Sequence, residues 1–157
     1  MCIRDSLYTI SGDVPDEEYL VPFGKARIVS EGNDCTLVAT GRMVSFCENA
    51  AQALAEDGIT CDIIDPRTTS PLDEDAILDS VEKTGRLVVV DETPPRCSFA
   101  ADIAALAAGE VFSSLKAPVR QITGPHSPVP FAKELEGEFV PSPTKIRDAV
   151  AEVVNFK

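Results

Sequence analysis

The chain has 157 residues, 44% of them hydrophobic, and its 26 acidic against 14 basic side chains give a formal charge of -12. That length suits one domain able to bury its own core, and that charge excludes a nucleic-acid binder, which needs basic surface, while permitting a basic protein partner. Five scattered cysteines (Cys2, Cys35, Cys47, Cys61 and Cys97) without a C-x-x-C pair indicate neither a disulfide framework nor a zinc site and fit a reducing cytoplasm, and no apolar run approaches the roughly 18 to 20 residues that cross a bilayer.

The N-terminal stretch differs from the rest. SGDVPDEEYLVPFG, residues 11–24, has the proline, glycine and acidic content of an extended connector. Residues 1–20 are therefore expected to be a linker and residues 21–157 one domain, with MCIRDS, residues 1–6, matching no pattern elsewhere and open to being foreign to the natural product. KARIVSEG (25–32) and DCTLVATG (34–41) read as strands joined by the turn-forming Gly32-Asn33-Asp34, which predicts a hairpin. Residues 43–57 place Val44, Cys47, Ala50, Ala51 and Leu54 at helical spacing before Gly58.

TCDIID (60–65) is the next strand, and residues 71–83 form a predicted amphipathic helix on Leu72, Ala76, Ile77 and Val81. Asp73, Glu74 and Asp75 favour that helix's positive N-terminus, and Gly85 lies past its end. RLVVVD (86–91) reads as a strand buried on both faces. An alanine-rich helix at 98–115, a strand at 119–123 and a loop precede a terminal helix at 142–154, with Ser142 as N-cap and Pro143 at its first position. Ile146, Ala149, Val150 and Val153 share one face of it. This order predicts an α/β fold, a three-layer α/β/α sandwich on a mostly parallel five-stranded sheet with one antiparallel edge strand.

Intrinsic signals for chemistry are sparse. Neither phosphate-binding loop motif nor a G-x-S-x-G elbow occurs. His126, the single histidine, sits in the proline-rich ITGPHSPVPF (122–131) and is the one candidate for proton transfer, set against a loop or interface role. Cys97 follows the RLVVVD strand, where α/β sites gather, but cysteine is more often a buried hydrophobe. Asp91 and Glu92 stand at the same strand end, where a salt bridge or helix cap is the ordinary role of a carboxylate.

DPRTTSPLDEDAILDSVEKTGRLVVVDE, residues 65–92, resembles a D-x-R-T-x-x-P-x-D motif followed by a helix, K-T-G-R and an apolar strand. That pattern belongs to the transketolase-like C-terminal domain of the β subunits of thiamine-diphosphate-dependent E1 dehydrogenases acting on 2-oxo acids or acetoin. The resemblance extends through GDVPDEEYLVPFGKA, LKAPVRQITGPHSPVPF and the closing helix. PPRCSFAADI stands where many members have a glycine-rich turn, and with PHSPVPF this looks most like the acetoin branch, with pyruvate and branched-chain 2-oxo acid enzymes still open.

Several expectations follow from the resemblance. Thiamine diphosphate and magnesium belong to the complete E1 enzyme and are held by parts absent here, so no catalytic, cofactor-binding or metal-ligating residue is expected on this chain. Asp65, Arg67, Pro71 and Asp73 read as scaffold: Arg67 reaching Asp65 or Asp73 with a bidentate fork, Pro71 opening the next helix and Asp73 favouring its start. Elsewhere among proteins with this domain the equivalent arginine helps hold an anionic substrate, a weaker reading for Arg67. Met43 and Phe46 read as core or interface. The implied partners are an E1 α subunit, a second β subunit and the subunit-binding domain of an E2 acyltransferase, with Phe156 and Lys157 as docking candidates and no nucleic acid or membrane. The alternative is a free-standing α/β interaction module without catalysis.

Overall fold

A computed structural model describes residues 11–157. The expectations for residues 1–10, both the linker and the foreign origin of residues 1–6, lie outside the described residues, and residues 11–20 are exposed and form neither helix nor strand. The elements that follow are β1 Arg27–Ser30, β2 Cys35–Ala39, α1 Arg42–Glu56, β3 Cys61–Asp65, α2 Glu74–Thr84, β4 Leu87–Val90, α3 Phe99–Glu110, β5 Arg120–Ile122, α4 Lys133–Phe139 and α5 Pro143–Val154. The sheet order is β1-β3-β2-β4-β5. β2 to β5 run parallel, and β1 lies antiparallel along β3 at one edge. The sandwich and the antiparallel edge expected from the sequence are both present.

The expected hairpin is not. CTLVA of β2 is buried along its whole length and has parallel neighbours on both sides, so the strand before it must pair elsewhere. β1 exposes Arg27 and Ile28, which suits an edge, and pairs Ile28 with Ile64 of β3. The Gly32-Asn33-Asp34 stretch instead carries the chain across the amino end of β3, where the Gly32 N–H donates to Asp62 Oδ1 at 2.7 Å and the Asn33 N–H to Thr60 Oγ1 at 3.0 Å. A Cβ on Gly32 would lie 2.3 Å from the Cys61 nitrogen, so this crossing needs glycine.

The strands' period of two divides the core between the faces of the sheet. Leu37, Ile63, Val88 and Val90 point to one face and pack against Met43, Cys47 and Leu54 of α1 and Ile146, Val150 and Val153 of α5. Val38, Ile64, Leu87 and Val89 point to the other and meet Ile77 and Val81 of α2 and Ile103 and Ala107 of α3. The LVVV of β4 is buried at all four positions, as its unbroken apolar run predicts. Full burial of each such aliphatic side chain contributes about 1.5–3 kcal/mol.

Helix boundaries show where local chemistry overrode the pattern. α2 begins at Glu74, three residues after Pro71, because Asp73 is engaged elsewhere and gives the helix no side-chain cap. α3 stops at Glu110, and the rest of the predicted helix becomes a short 3-10 turn, Phe112–Ser114. α4, expected to be loop, carries no capping side chain and is anchored by Phe139, its one buried residue. α5 follows its reading: the Ser142 hydroxyl accepts from the Lys145 N–H at 3.3 Å, Pro143 begins the helix, and the predicted stripe is buried.

Candidate functional site

The amino ends of the parallel strands carry a closed polar network. Asp62 of β3 accepts from the Ser80 hydroxyl at 2.6 Å, from Lys83 Nζ at 2.7 Å and from the Gly32 N–H at 2.7 Å. Burial alone would push the Asp62 carboxyl up, but Lys83, Ser80 and Gly32 together outweigh it and hold the group below the usual carboxylate range. Thr36 of β2 joins the Ser80 hydroxyl at 2.7 Å to the Thr84 hydroxyl at 2.8 Å. Arg86 then donates to the Val153 carbonyl at 3.0 Å, satisfying one of the last carbonyls of α5. Lys83, Thr84 and Arg86 of the K-T-G-R stretch thus all serve the scaffold.

At the carboxyl ends the chain opens a cleft of about 520 Å³. The helix after β2 turns to one face of the sheet while those after β3 and β4 turn to the other, which leaves a crevice above β2. Its walls are Thr40 and Gly41 after β2, Asp65, Arg67 and Thr69 after β3, and the run from Thr93 to Phe99 after β4. Gly41 has φ 56° and ψ -130°, which lets α1 start directly beyond the strand. Arg67 at φ 60° and Cys97 at φ 50° hold the same half of φ space without being glycine, an arrangement costing about 1–3 kcal/mol each that recurs at functional sites.

Polar pairing around this cleft is partial. Arg67 Nε lies 3.8 Å from Asp65 Oδ2, a single long ion pair rather than the expected fork, because the backbone N–H of Arg67 already donates to the other oxygen of Asp65 at 3.1 Å. Asp91 accepts from the Thr93 N–H at 3.0 Å and its hydroxyl at 2.6 Å. Glu92 pairs with Arg42 at 3.6 Å, and Arg42 in turn lies over the Phe46 ring, 5.4 Å from its centroid. Met43 is fully buried in the core.

The D-x-R-T-x-x-P-x-D stretch has two sides. Asp65, Arg67 and Thr69 face the cleft, whereas Thr68 and Asp73 hold the incoming chain. The Thr68 hydroxyl accepts the Gly24 N–H at 2.9 Å and donates to the Pro71 carbonyl at 2.8 Å. Asp73 accepts the Ala26 N–H at 2.9 Å and pairs with Lys25 at 3.6 Å, so its partner is the segment leading into β1 and not Arg67. Pro71, joined to Ser70 by a cis bond, packs against Gly24 instead of opening a helix.

His126 is exposed on the loop after β5 and does not line the cleft, whereas Cys97 does. The other described cysteines are core thiols: burial pushes Cys35 and Cys47 far up and Cys61 to about 12, so all three stay protonated and unreactive at neutral pH. Phe156 is half exposed beyond α5, and Lys157 is exposed after it. Sequence reasoning missed Thr40, Thr69 and Arg96. The available signal was an apolar strand ending in Thr40-Gly41 and opening straight into a helix.

Comparison with known proteins decides the family. The profile described as "Transketolase, C-terminal domain" matches residues 24–146. The chain belongs to that family. This transketolase C-terminal domain is 50% identical over 147 residues to the acetoin:2,6-dichlorophenolindophenol oxidoreductase subunit beta of Bacillus subtilis, a match covering 94% of the chain and 43% of the relative. It is 48% identical over 148 residues to the subunit of the same name from Cupriavidus necator, covering 94% and 44%. Against the 2-oxoisovalerate dehydrogenase subunit beta of B. subtilis it is 36% identical over 148 residues, covering 94% and 45%. The chain therefore spans less than half the length of these curated relatives. A solved structure titled "Split gene transketolase, inactive beta4 tetramer", 23% identical, superposes with a TM-score of 0.76 over 92% of this chain and 45% of that one and shares its fold.

Proposed function

We propose that this domain is the C-terminal part of the β subunit of a thiamine-diphosphate-dependent E1 dehydrogenase of the acetoin-oxidising branch. The observation that carries the reading is the difference in identity. The two acetoin oxidoreductase β subunits stand at 50% and 48%, against 36% for a 2-oxoisovalerate and 40% for a pyruvate dehydrogenase β subunit, over nearly the same stretch.

Within such an enzyme the domain serves assembly with an α and a second β subunit and docking to an E2 acyltransferase, in the cytoplasm. Thiamine diphosphate and magnesium are assigned, as the resemblance implies, to the remainder of the enzyme. No described helix is long and apolar enough to cross a membrane.

Docking is assigned to the tail. The buried stripe of α5 fixes its base, which leaves Phe156 and Lys157 at the surface, and an exposed aromatic is the type of side chain that anchors a protein interface. The test is to put residues 11–157 in place of the matching part of the B. subtilis acetoin subunit and express it with its α subunit. The chimera should assemble and reduce dichlorophenolindophenol with acetoin, and removal of residues 155–157 should weaken E2 docking by about 1–3 kcal/mol without lowering turnover. Failure to assemble, or assembly without acetoin-dependent turnover, would contradict the reading. In the same chimera His126→Asn should leave the pH dependence of turnover unchanged, whereas a loss of about a hundredfold would make His126 a proton-transfer group.

A further inference from the structure

The last carbonyls of a helix have no partner within it, and at the end of α5 two side chains supply one. The Val153 carbonyl accepts from Arg86 Nε at 3.0 Å and from the Phe156 N–H at 3.5 Å. The Ala151 carbonyl accepts from the Asn155 N–H at 3.1 Å and from Asn155 Nδ2 at 2.8 Å. Arg86 reaches α5 from a position 67 residues earlier, immediately before β4, and is itself fixed there. Its Nη1 donates to the Asp34 carbonyl at 3.3 Å, its N–H donates to the Thr84 hydroxyl at 3.3 Å, and its carbonyl accepts the Thr36 N–H at 2.8 Å. Spanning the two carbonyls of Val153 and Asp34 takes the planar, many-donor guanidinium, which a lysine ammonium does not reproduce.

These contacts bend the chain at once after the helix. Asn155 has φ -92° and ψ 7°, and the Phe156 N–H turns back to Val153, three residues earlier, in place of continuing the helical ladder. Phe156 is 51% exposed, whereas Phe131, on the loop before α4, is 104% exposed. A frayed end would leave an aromatic as bare as Phe131. We propose that Arg86 and Asn155 are positioning residues: they fix the turn that carries Phe156, so that the ring is presented to the partner already ordered. The proposal rests on the reading of the tail as the docking site and adds what keeps its anchor in place. An anchor ordered before binding loses less conformational freedom when the partner arrives, so the same contact holds more tightly. The Arg86 charge also lies at the negative end of the α5 dipole. The last residue of the K-T-G-R stretch thereby joins the closed amino-end network to the tail.

Two measurements test it. The ¹⁵N heteronuclear NOE of the Phe156 amide in the full chain reads the positioning without any partner. It should be close to that of α5 in the parent and fall toward that of a free terminus in Arg86→Met and in Asn155→Ala, the second of which alters only an exposed side chain and leaves the core intact. A Phe156 amide already mobile in the parent, or one unmoved by both variants, would overturn the proposal. The affinity of the assembled chimera for the isolated subunit-binding domain of the E2 acyltransferase reads the consequence. Phe156→Ala should weaken it, and Arg86→Met and Asn155→Ala should each weaken it by about threefold or more, yet neither should weaken it further in the Phe156→Ala background. Losses that persist in full in that background would overturn the proposal, because the two residues would then act on docking without Phe156. Phe156→Ala with unaltered affinity would overturn the docking reading and the proposal with it, and an NOE that still responds to Arg86→Met would place the failure in the docking reading and not in the turn.

Discussion

At the amino ends of β2 and β3, the buried side chains of Thr36 and Asp62 have a partner on every polar atom, whereas at the carboxyl ends of the same strands Thr40 has none and Arg67 has one long ion pair. The two ends are a few residues apart along each strand and are built from similar residue types. Their difference lies in where the hydrogen bonds go. Polar groups spent on one another lock helices to strands. Groups left open hold nothing together. The segment 65–92 contains both: its K-T-G-R end closes the amino-end network, and its first residues line the cleft.

The largest expected effect comes from breaking the closed end. Asp62→Ala leaves the Gly32 N–H without its acceptor and removes the bridge to Lys83, which is itself partly hydrated. A loss of about 2–3 kcal/mol is expected, several degrees in Tm for a domain of this size by scanning calorimetry. A drop below about 0.5 kcal/mol would show the network to be decoration.

Next in size is the latch that holds the segment leading into β1. Asp73→Ala removes the acceptor for the Ala26 N–H and the partner of Lys25. About 1 kcal/mol should be lost, and limited trypsin digestion should cut after Lys25 faster than in the parent chain. An unchanged cleavage rate would mean that Asp73 does not hold this segment.

Smaller and graded is the response to acid. Asp34 is held low by the N–H and hydroxyl of Thr60, and Asp62 by the network that outweighs its burial. Both carboxyls have folded values below their unfolded ones, so the stability they add is present above about pH 4, the ordinary unfolded value, and is lost as pH falls through that value toward the folded ones. Denaturant midpoints should therefore decline on acidification, and Asp62→Ala should flatten that decline. A parallel decline in parent and variant would remove Asp62 from the explanation.

Much of this was legible in the sequence. The unbroken LVVV run, the capped SPTKIRDAV helix and the i, i+3, i+4, i+7 stripe each encode their burial through local periodicity. The strand order was not legible, because after β1 the chain crosses the amino end of β3 at Gly32-Asn33-Asp34, a crossing that looks, locally, like a hairpin turn. α4 was hidden because one buried residue, Phe139, makes no period. At the cleft, Asp65, Arg67 and Cys97 were visible as types, but the opposite roles of neighbouring Arg67 and Thr68 depend on a positive φ that no pattern reports. Asp73 misled for a related reason: an acidic residue before a helix normally serves its N-terminus, and here a distant backbone N–H claims it.

The most direct test of the contrast between the two ends is the stability of the double variant Arg67→Gly, Cys97→Gly. Both residues hold positive φ at the open end, and glycine removes that cost while deleting only the weak pair to Asp65. If the carboxyl end does not hold the fold together, denaturant unfolding should give a stability equal to the parent's or higher by up to about 1 kcal/mol. A loss as large as that of Asp62→Ala would contradict the account, because it would mean that both ends of the sheet hold the fold together.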